Sequence, residues 1–344
     1  MFNINDYDLE NLDGRGFYEY IKEQYYHAAR EAGVDYANVY LNADDSNDAY
    51  FEGLECDNRL FLELILHAQN SSANRLSNIV NWNLRKQYIQ ETTRNFNPRE
   101  FLNHYTIPSN NDDIYIKNSS ILNNGKLKKI KDDMHIESES PTAYRFIKYI
   151  VYYAVFIVRT YINHNIDDNS CKVHFYNHLF ELHDVTKIEN YLYDAMTFGH
   201  KVPYGYSTAL LCDLLKESDN RFNYLVKPDT HIKHVFKVLF GLNTLTKTNR
   251  KGKSYEVIVD NDGHIIKDSD IVDAFASIIT RIYNQGITDI NAYKLDKMLF
   301  ILCNDKGFYA IDYNGTHYSN NHSFSINKET LLNYINAHFK INHR

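Results

Sequence analysis

Glycine and proline are scarce in this 344-residue chain, at 13 and 5. So few turn-makers disfavour sandwiches and propellers, whose many short strands need them, and favour long helices. The four cysteines, Cys56, Cys171, Cys212 and Cys303, lie far apart with no CxxC pair. That spacing excludes a disulfide scaffold, a cysteine-based zinc site and an iron–sulfur cluster held by a tight local run; a reducing cytosol is the simplest compartment. No apolar run reaches the roughly 20 residues that a bilayer span needs. The most apolar one, Ile147 to Ile162, contains Arg159 and reads as a buried core helix, so no membrane partner is expected. The first residues, MFNINDYDLENLDG, are acidic and lack an apolar h-region; no signal peptide is expected and the location reads as cytoplasmic.

What is present is enough for a core: 44% hydrophobic residues against 24% charged. The net charge of −7 argues against a protein that coats nucleic acid uniformly, but the charge is unevenly placed. Residues 1–141 carry 14 Lys and Arg against 23 Asp and Glu, whereas residues 142–344 carry 23 against 21. Within 227–253, Lys227, Lys233, Lys237, Lys247, Arg250, Lys251 and Lys253 face a single acid, Asp229. A local basic patch can dock a phosphate backbone even on an acidic protein, because the near-surface field is set by nearby charges. A solvated helix face is the plain alternative.

Apolar spacing of three and four predicts helices over much of 14–103, then near 142–164, 171–182, 187–198, 207–218, 230–240 and 269–284, with a closing helix at about 327–340. Leu295, Met298, Leu299 and Leu302 share a helical face that reads as core. Residues 254–267 alternate around Asn261-Asp262-Gly263 and read as a small hairpin; residues 307–325 read as another short β element. Residues 106–141 are polar, rich in Asn, Ser and Asp, and lack helical periodicity. The expected organisation is therefore a helical N-terminal accessory domain at 1–105, a polar linker at 106–141 and a mainly α domain at 142–344 with a small β hairpin inserted.

One stretch stands out for chemistry, GHKVPYGYSTALLCDLLKESDNRFNYLVKPDTHIKHVFKVLF at 199–240. A helix ends at Gly199, a tight turn follows at Pro203-Tyr204-Gly205, and Ser207-Thr208 suits the N-cap of the next helix. Two helices joined by a short glycine turn present free N–H groups and a positive dipole end, which suits a phosphate. Lys227-Pro228-Asp229-Thr230-His231 then gives an extended entry and a second cap, followed by Lys233 and Lys237. Asp229 alone reads equally as a plain N-cap, and Tyr204 and Tyr206 equally as packing residues in a chain with 29 Tyr.

VPYGYSTA at 202–209 and PDTHI at 228–232, with Asp229 22 residues after Ser207, resemble the helix-hairpin-helix DNA glycosylase superfamily, whose members carry an LPGVGxKTA hairpin followed by an Asp in a DTHV segment. The resemblance covers about 40 residues closely and 142–300 loosely; the first 140 lie outside it. It implies a two-lobed helical fold for 142–344, DNA as partner, and hydrolysis of an N-glycosidic bond to a damaged or modified base flipped out of the duplex. Asp229 would be the catalytic carboxylate. Gly205, Ser207, Thr208, Lys201, Lys233 and Lys237 would hold the DNA backbone, and Tyr204, Tyr206 and His231 would be candidates for the base pocket. No cofactor is implied, apart from a monovalent cation that hairpin carbonyls bind in the family. Two departures stand in this chain. Pro203 replaces the usual first hairpin glycine. Ser207 occupies the position of the Schiff-base lysine, so a monofunctional enzyme is expected. The unmatched, acidic first part suggests recognition of a particular modification, in DNA repair or in antiviral defence against modified phage DNA. The rival reading is a non-catalytic helix-hairpin-helix protein that docks on DNA.

Other clusters carry less. His174, His178 and His183, with Asp184, include an i,i+4 pair at metal-ligand spacing, but no Glu stands in the HExxH position, so no metal is expected there. Glu181, Asp184, Glu189 and Asp194 read as a solvated or hairpin-flanking face.

Overall fold

The computed structural model describes residues 2–34, 37, 41, 51–68, 79–109, 122–197, 207–249, 252, 254–303, 309–311, 317–319 and 327–344. The chain divides into two compact units, Met1–Ala49 together with Asp219–Arg344, and Tyr50–Ser218. In chain order, α1 (Gly14–Glu31) lies in the discontinuous unit. The continuous unit holds α2 (Arg59–Ala68), α3 (Trp82–Thr92), α4 (Pro98–His104), α5 (Asn124–Asp133), α6 (Pro141–Thr160), α7 (Cys171–Leu182), α8 (Val185–Thr197) and α9 (Thr208–Ser218). The discontinuous unit resumes with α10 (Thr230–Leu239), β1 (Asn243–Thr248), β2 (Ser254–Val259), α11 (Asp268–Asn284), α12 (Ala292–Cys303), β3 (Tyr309–Ile311), β4 (His317–Ser319) and α13 (Lys328–Phe339). Among the described residues the fold is mainly α with two small antiparallel strand pairs. No helix among the described residues is long and apolar enough to cross a membrane.

The continuous unit is built around α6. Ser140 caps it by accepting from the Ala143 N–H, and Pro141 supplies the fixed φ that the first helical turn wants. Its residues from Tyr149 to Val158 are buried without interruption, so this stretch has no solvent face. It is enclosed by α2, α4, α5 and α8, and α2 in turn packs on α7 and α9.

The expected linker at 106–141 is corrected here. Its second half folds as α5, capped by Asn123, which accepts from the Lys126 N–H at 2.9 Å. Leu127, Ile130 and Met134 of this segment are buried, and α5 packs on α6. Its outer face is so rich in lysine and aspartate that composition hides this narrow apolar stripe. The accessory domain at 1–105 is likewise not one body in this division, because 1–49 and 50–105 fall in different units.

The discontinuous unit joins the two ends of the chain. The Phe2 ring meets Phe236 and Phe240 edge-on, and the Tyr7 ring meets Phe240 and His343 edge-on, both at 5.0 Å. Backbone bonds run from Asp8 N to Asn342 O at 2.9 Å and from Arg344 N to Asp6 O at 2.8 Å. Phe17, Ile21 and Tyr25 of α1 share one core with Val235 and Phe236 of α10, Phe275 and Ile278 of α11, Leu299 and Leu302 of α12, and Leu331 and Ile335 of α13. Gly14 opens α1 where a Cβ would stand 2.9 Å from Ile282 Cγ1, so α1 and α11 approach through the missing side chain.

The hairpin differs from its expected place. β2 pairs with β1, upstream, in the register Asn243↔Val259 to Thr248↔Ser254. The Asn261-Asp262-Gly263 turn does form, but it closes only a bridge between Val259 and Ile265. Asn-Asp-Gly signals the turn; it does not say how long the ladder beyond it runs. β3 and β4 form the second short β element.

If the N-terminal segment is part of this core, Tyr7→Ala should cost about 3 kcal/mol, as aromatic truncation in a packed site does. The same change at Tyr283, 54% exposed, should cost under about 0.5 kcal/mol. Urea unfolding followed by circular dichroism measures both, with hydrogen exchange expected to locate the loss in α10; equal effects of the two changes would contradict this packing.

Candidate active site

The approach to α10 is fixed before the helix begins. Asp219 accepts from the Arg221 N–H at 2.9 Å and ion-pairs with its guanidinium at 2.6 Å, which shapes a short turn around the buried Phe222. Leu225 and Val226 then bury, and Asn223 O accepts from the Ala292 N–H at the start of α12. Lys227 donates its N–H to Asp296 Oδ2 of α12 at 3.0 Å. Asp296 is itself buried, so this backbone-to-carboxylate bond is shielded from competing water. Pro228 holds Lys227 before it in extended backbone, and Asp229, itself extended, is the capping residue.

Asp229 Oδ1 accepts from the His231 N–H at 2.8 Å and the Ile232 N–H at 3.1 Å. Those two amides are orphans of the first helical turn, so Asp229 is an N-cap, as its sequence context allows. The carboxylate is half-buried, and among the described residues its second oxygen accepts no hydrogen bond. One oxygen therefore fixes the orientation of the group while the other remains available. Cys303, at the end of α12, lies close enough to feel this charge: burial pushes its thiol up to about 12, Asp229 adds to that, and Lys328 opposes it. The thiol stays protonated at neutral pH and is no nucleophile.

Two histidines follow on α10. His231 sets its ring edge-on against Phe300 at 5.0 Å, and His234 sits one turn on. Burial holds His234 below its ordinary pKa, and the cations Lys328 and Lys237 reinforce this, so it is neutral at pH 7. The Nδ1 atoms of both rings are buried without a hydrogen-bond partner. His231 thus makes a packing contact within its own unit, and its Nδ1 is left unsatisfied.

The remaining expected residues divide. Lys201, Tyr204, Gly205 and Tyr206 lie outside the described residues. Ser207 is exposed and precedes α9; its carbonyl accepts from the Leu211 N–H at 2.9 Å, and its hydroxyl stands 3.5 Å from the Leu210 nitrogen. Thr208 opens α9 with its hydroxyl 3.2 Å from a Glu189 oxygen. Ser207 and Thr208 belong to the continuous unit and Asp229 to the other. Lys233 and Lys237 lie one turn apart on α10. Lys233 ion-pairs with Asp268 at 2.6 Å, whereas Lys237, half-buried, has no acidic partner among the described residues. Of the basic window, Arg250, Lys251 and Lys253 are outside the described residues.

His174 and His178 are exposed on α7, and His183 ends that helix in the left-handed region, its ring against Phe180. His178 lies beside Tyr191. The three do not converge on one point among the described residues. Asp184 caps α8 through the Lys187 N–H at 2.8 Å, which accounts for one carboxylate of that face.

Sequence reasoning missed the buried polar groups of the continuous unit. Glu63 and His67 of α2 are both about 2% exposed, and Asp213 and Lys216 of α9 are buried with them. The signal that could have found them is a charge inside an unbroken apolar run, LFLELILHA and ALLCDLLKE. Neither run carries a motif on its own. Comparison of the chain with protein-family models, with curated proteins and with solved structures returns no match to any of them.

Proposed function

We propose that the protein is a monofunctional DNA N-glycosylase, with Asp229 as its catalytic carboxylate. The observation that carries the reading is the state of that carboxylate: one oxygen locked by two backbone amides, the other without a partner among the described residues, 22 residues after Ser207 of the VPYGYSTA motif. Breaking the bond between sugar and base builds positive charge on the sugar. A carboxylate held beside that carbon stabilises the charge without reorganising and can orient the attacking water. The water oxygen then bonds to the sugar carbon, the base leaves with the bonding electron pair and takes up a proton, and an abasic site remains. Ser207 offers no amine, so this position supports no Schiff base and no strand-cleaving step.

The target base has to leave the stack before Asp229 can act on its sugar. Tyr204, Tyr206 and His231 are the rings we assign to its reception. The amides of Gly205, Ser207 and Thr208, with Lys201, Lys233 and Lys237, would hold the flanking phosphates. A modified base in DNA, met in repair or in defence against phage, is the substrate class proposed. A second reading, a DNA-docking protein without catalysis, is favoured by one observation: Asp229 already has a complete structural job as N-cap.

Asp229→Asn separates the two. Asn caps as well as Asp, so the stability change should stay under about 1 kcal/mol in either case. If Asp229 is catalytic, the change should lower base release by at least about 100-fold, the scale of losing a transition-state electrostatic group, and leave DNA binding in place. The assay incubates both proteins with genomic DNA, including DNA from phages with modified bases, and then applies hot alkali. Breaks that need both alkali and Asp229 would establish the activity. Breaks without alkali would show a lyase or nuclease step, and binding without any breaks on any DNA would favour the docking protein.

The lysines should also differ. Lys237→Ala should reduce the slope of log affinity against log salt by about 1, the share of one phosphate contact. Lys233→Ala should reduce it less, because Asp268 already neutralises that ammonium. Titrations at several salt concentrations measure both; equal slopes for wild type and Lys237→Ala would remove α10 from the DNA-binding surface.

A further inference from the structure

In the continuous unit, His67 near the end of α2 meets Asp213 and Glu217 on α9, and one ligand atom from each lies within 4.8 Å of the other two. Asp213 and Glu217 are four residues apart, so they project from the same helix face. His67 is 2% exposed, and its Nδ1 is buried without a hydrogen-bond partner. Glu217 Oε2 stands 3.8 Å from that nitrogen, too long for a hydrogen bond. Two ligands bound tetrahedrally to one ion at about 2.1 Å stand about 3.4 Å apart, so a small contraction would bring both onto a metal.

We propose that His67, Asp213 and Glu217 form a binding site for a divalent transition metal of the zinc class, which ties α2 to α9. The mixed nitrogen and oxygen donor set suits zinc, cobalt or manganese better than magnesium or calcium, which prefer oxygen throughout. Lys216 Nζ now pairs with Asp213 Oδ1 at 3.1 Å, within the same buried cluster. A bound ion would share the Asp213 carboxylate with this ammonium. The site bears on α9 as a whole, because both carboxylates sit in the last two turns of the helix that Ser207 and Thr208 begin.

The test uses the full chain, stripped with chelator and dialysed, and titrated with Co2+ as a visible probe and with Zn2+ as its competitor. Wild type should bind one equivalent of Co2+ with a visible d–d absorption that Zn2+ abolishes, and Zn2+ should raise its thermal midpoint. His67→Gln should weaken binding by at least about 100-fold, since loss of even an outer-shell partner costs 10–100-fold. His67 lies in a packed core, so Glu217→Gln, at a side chain 12% exposed, provides the same test if the first variant does not fold. Binding lost in whichever variant circular dichroism shows to be folded supports the site. Failure of wild type to bind either ion would overturn it, as would binding that survives in a folded variant.

Discussion

A helix that is apolar on every face is stable only when it is enclosed, and α6 imposes that condition on the whole of Tyr50–Ser218. Between Tyr149 and Val158 every residue is buried, so α2, α4, α5 and α8 must each offer it an apolar face. At roughly 25 cal/mol for each Å² of apolar surface removed from water, a buried run of this length supplies a large share of the free energy that holds the unit together. The short, polar α5 follows from this demand. Its intrinsic helix preference is modest for ten residues, and the stripe formed by Leu127, Ile130 and Met134 holds it in place.

The candidate site depends on a different constraint, the tethering of a loop to a helix far along the chain. Asp229 caps α10 only because the residues before it are held in register. Asp296 holds the Lys227 amide, and the Asn223 carbonyl holds the first amide of α12. The same helix ends at Cys303, beside the Asp229 charge. α12 is therefore the part of this unit that sets where the carboxylate lies, and α10 presents it together with Lys233 and Lys237. A site on rigid elements of this kind keeps its geometry without a ligand present, which is what electrostatic preorganisation requires.

Local features of the fold could be read directly from the sequence. The Ser140-Pro141 start of α6, the Asp229-Thr230 start of α10 and the apolar spacing of α12 each depend on residues within a few positions, and each helix lies where its pattern put it. Long-range features could not. Nothing local to Tyr7 announces that it packs on Phe240 and pairs with His343, yet both contacts tie the first residues into their unit. β1, with the sequence NTLTKT, has no alternation of apolar and polar residues, because most of it is exposed on both faces. In the candidate site the cap was legible and its support was not: Asp296 is an unremarkable acid in a helix until the Lys227 amide is placed against it.

The two buried polar residues of α2 complete the argument about enclosure, because a helix with no solvent face must satisfy its charges internally. Glu63 does so fully. Its oxygens receive Lys172 Nζ at 2.7 Å, Arg59 Nε at 3.1 Å and the Tyr176 hydroxyl at 3.1 Å, with donors drawn from α2 itself and from α7. Taking away one such donor would leave a carboxylate buried with too few partners, a change that typically costs several kcal/mol. His67, one turn on, is equally buried and lacks this provision on Nδ1. The same helix, in the same core, satisfies one polar group three times over and leaves Nδ1 of its neighbour without a hydrogen bond near two carboxylates. A cation held by His67 and the two carboxylates would remove that difference.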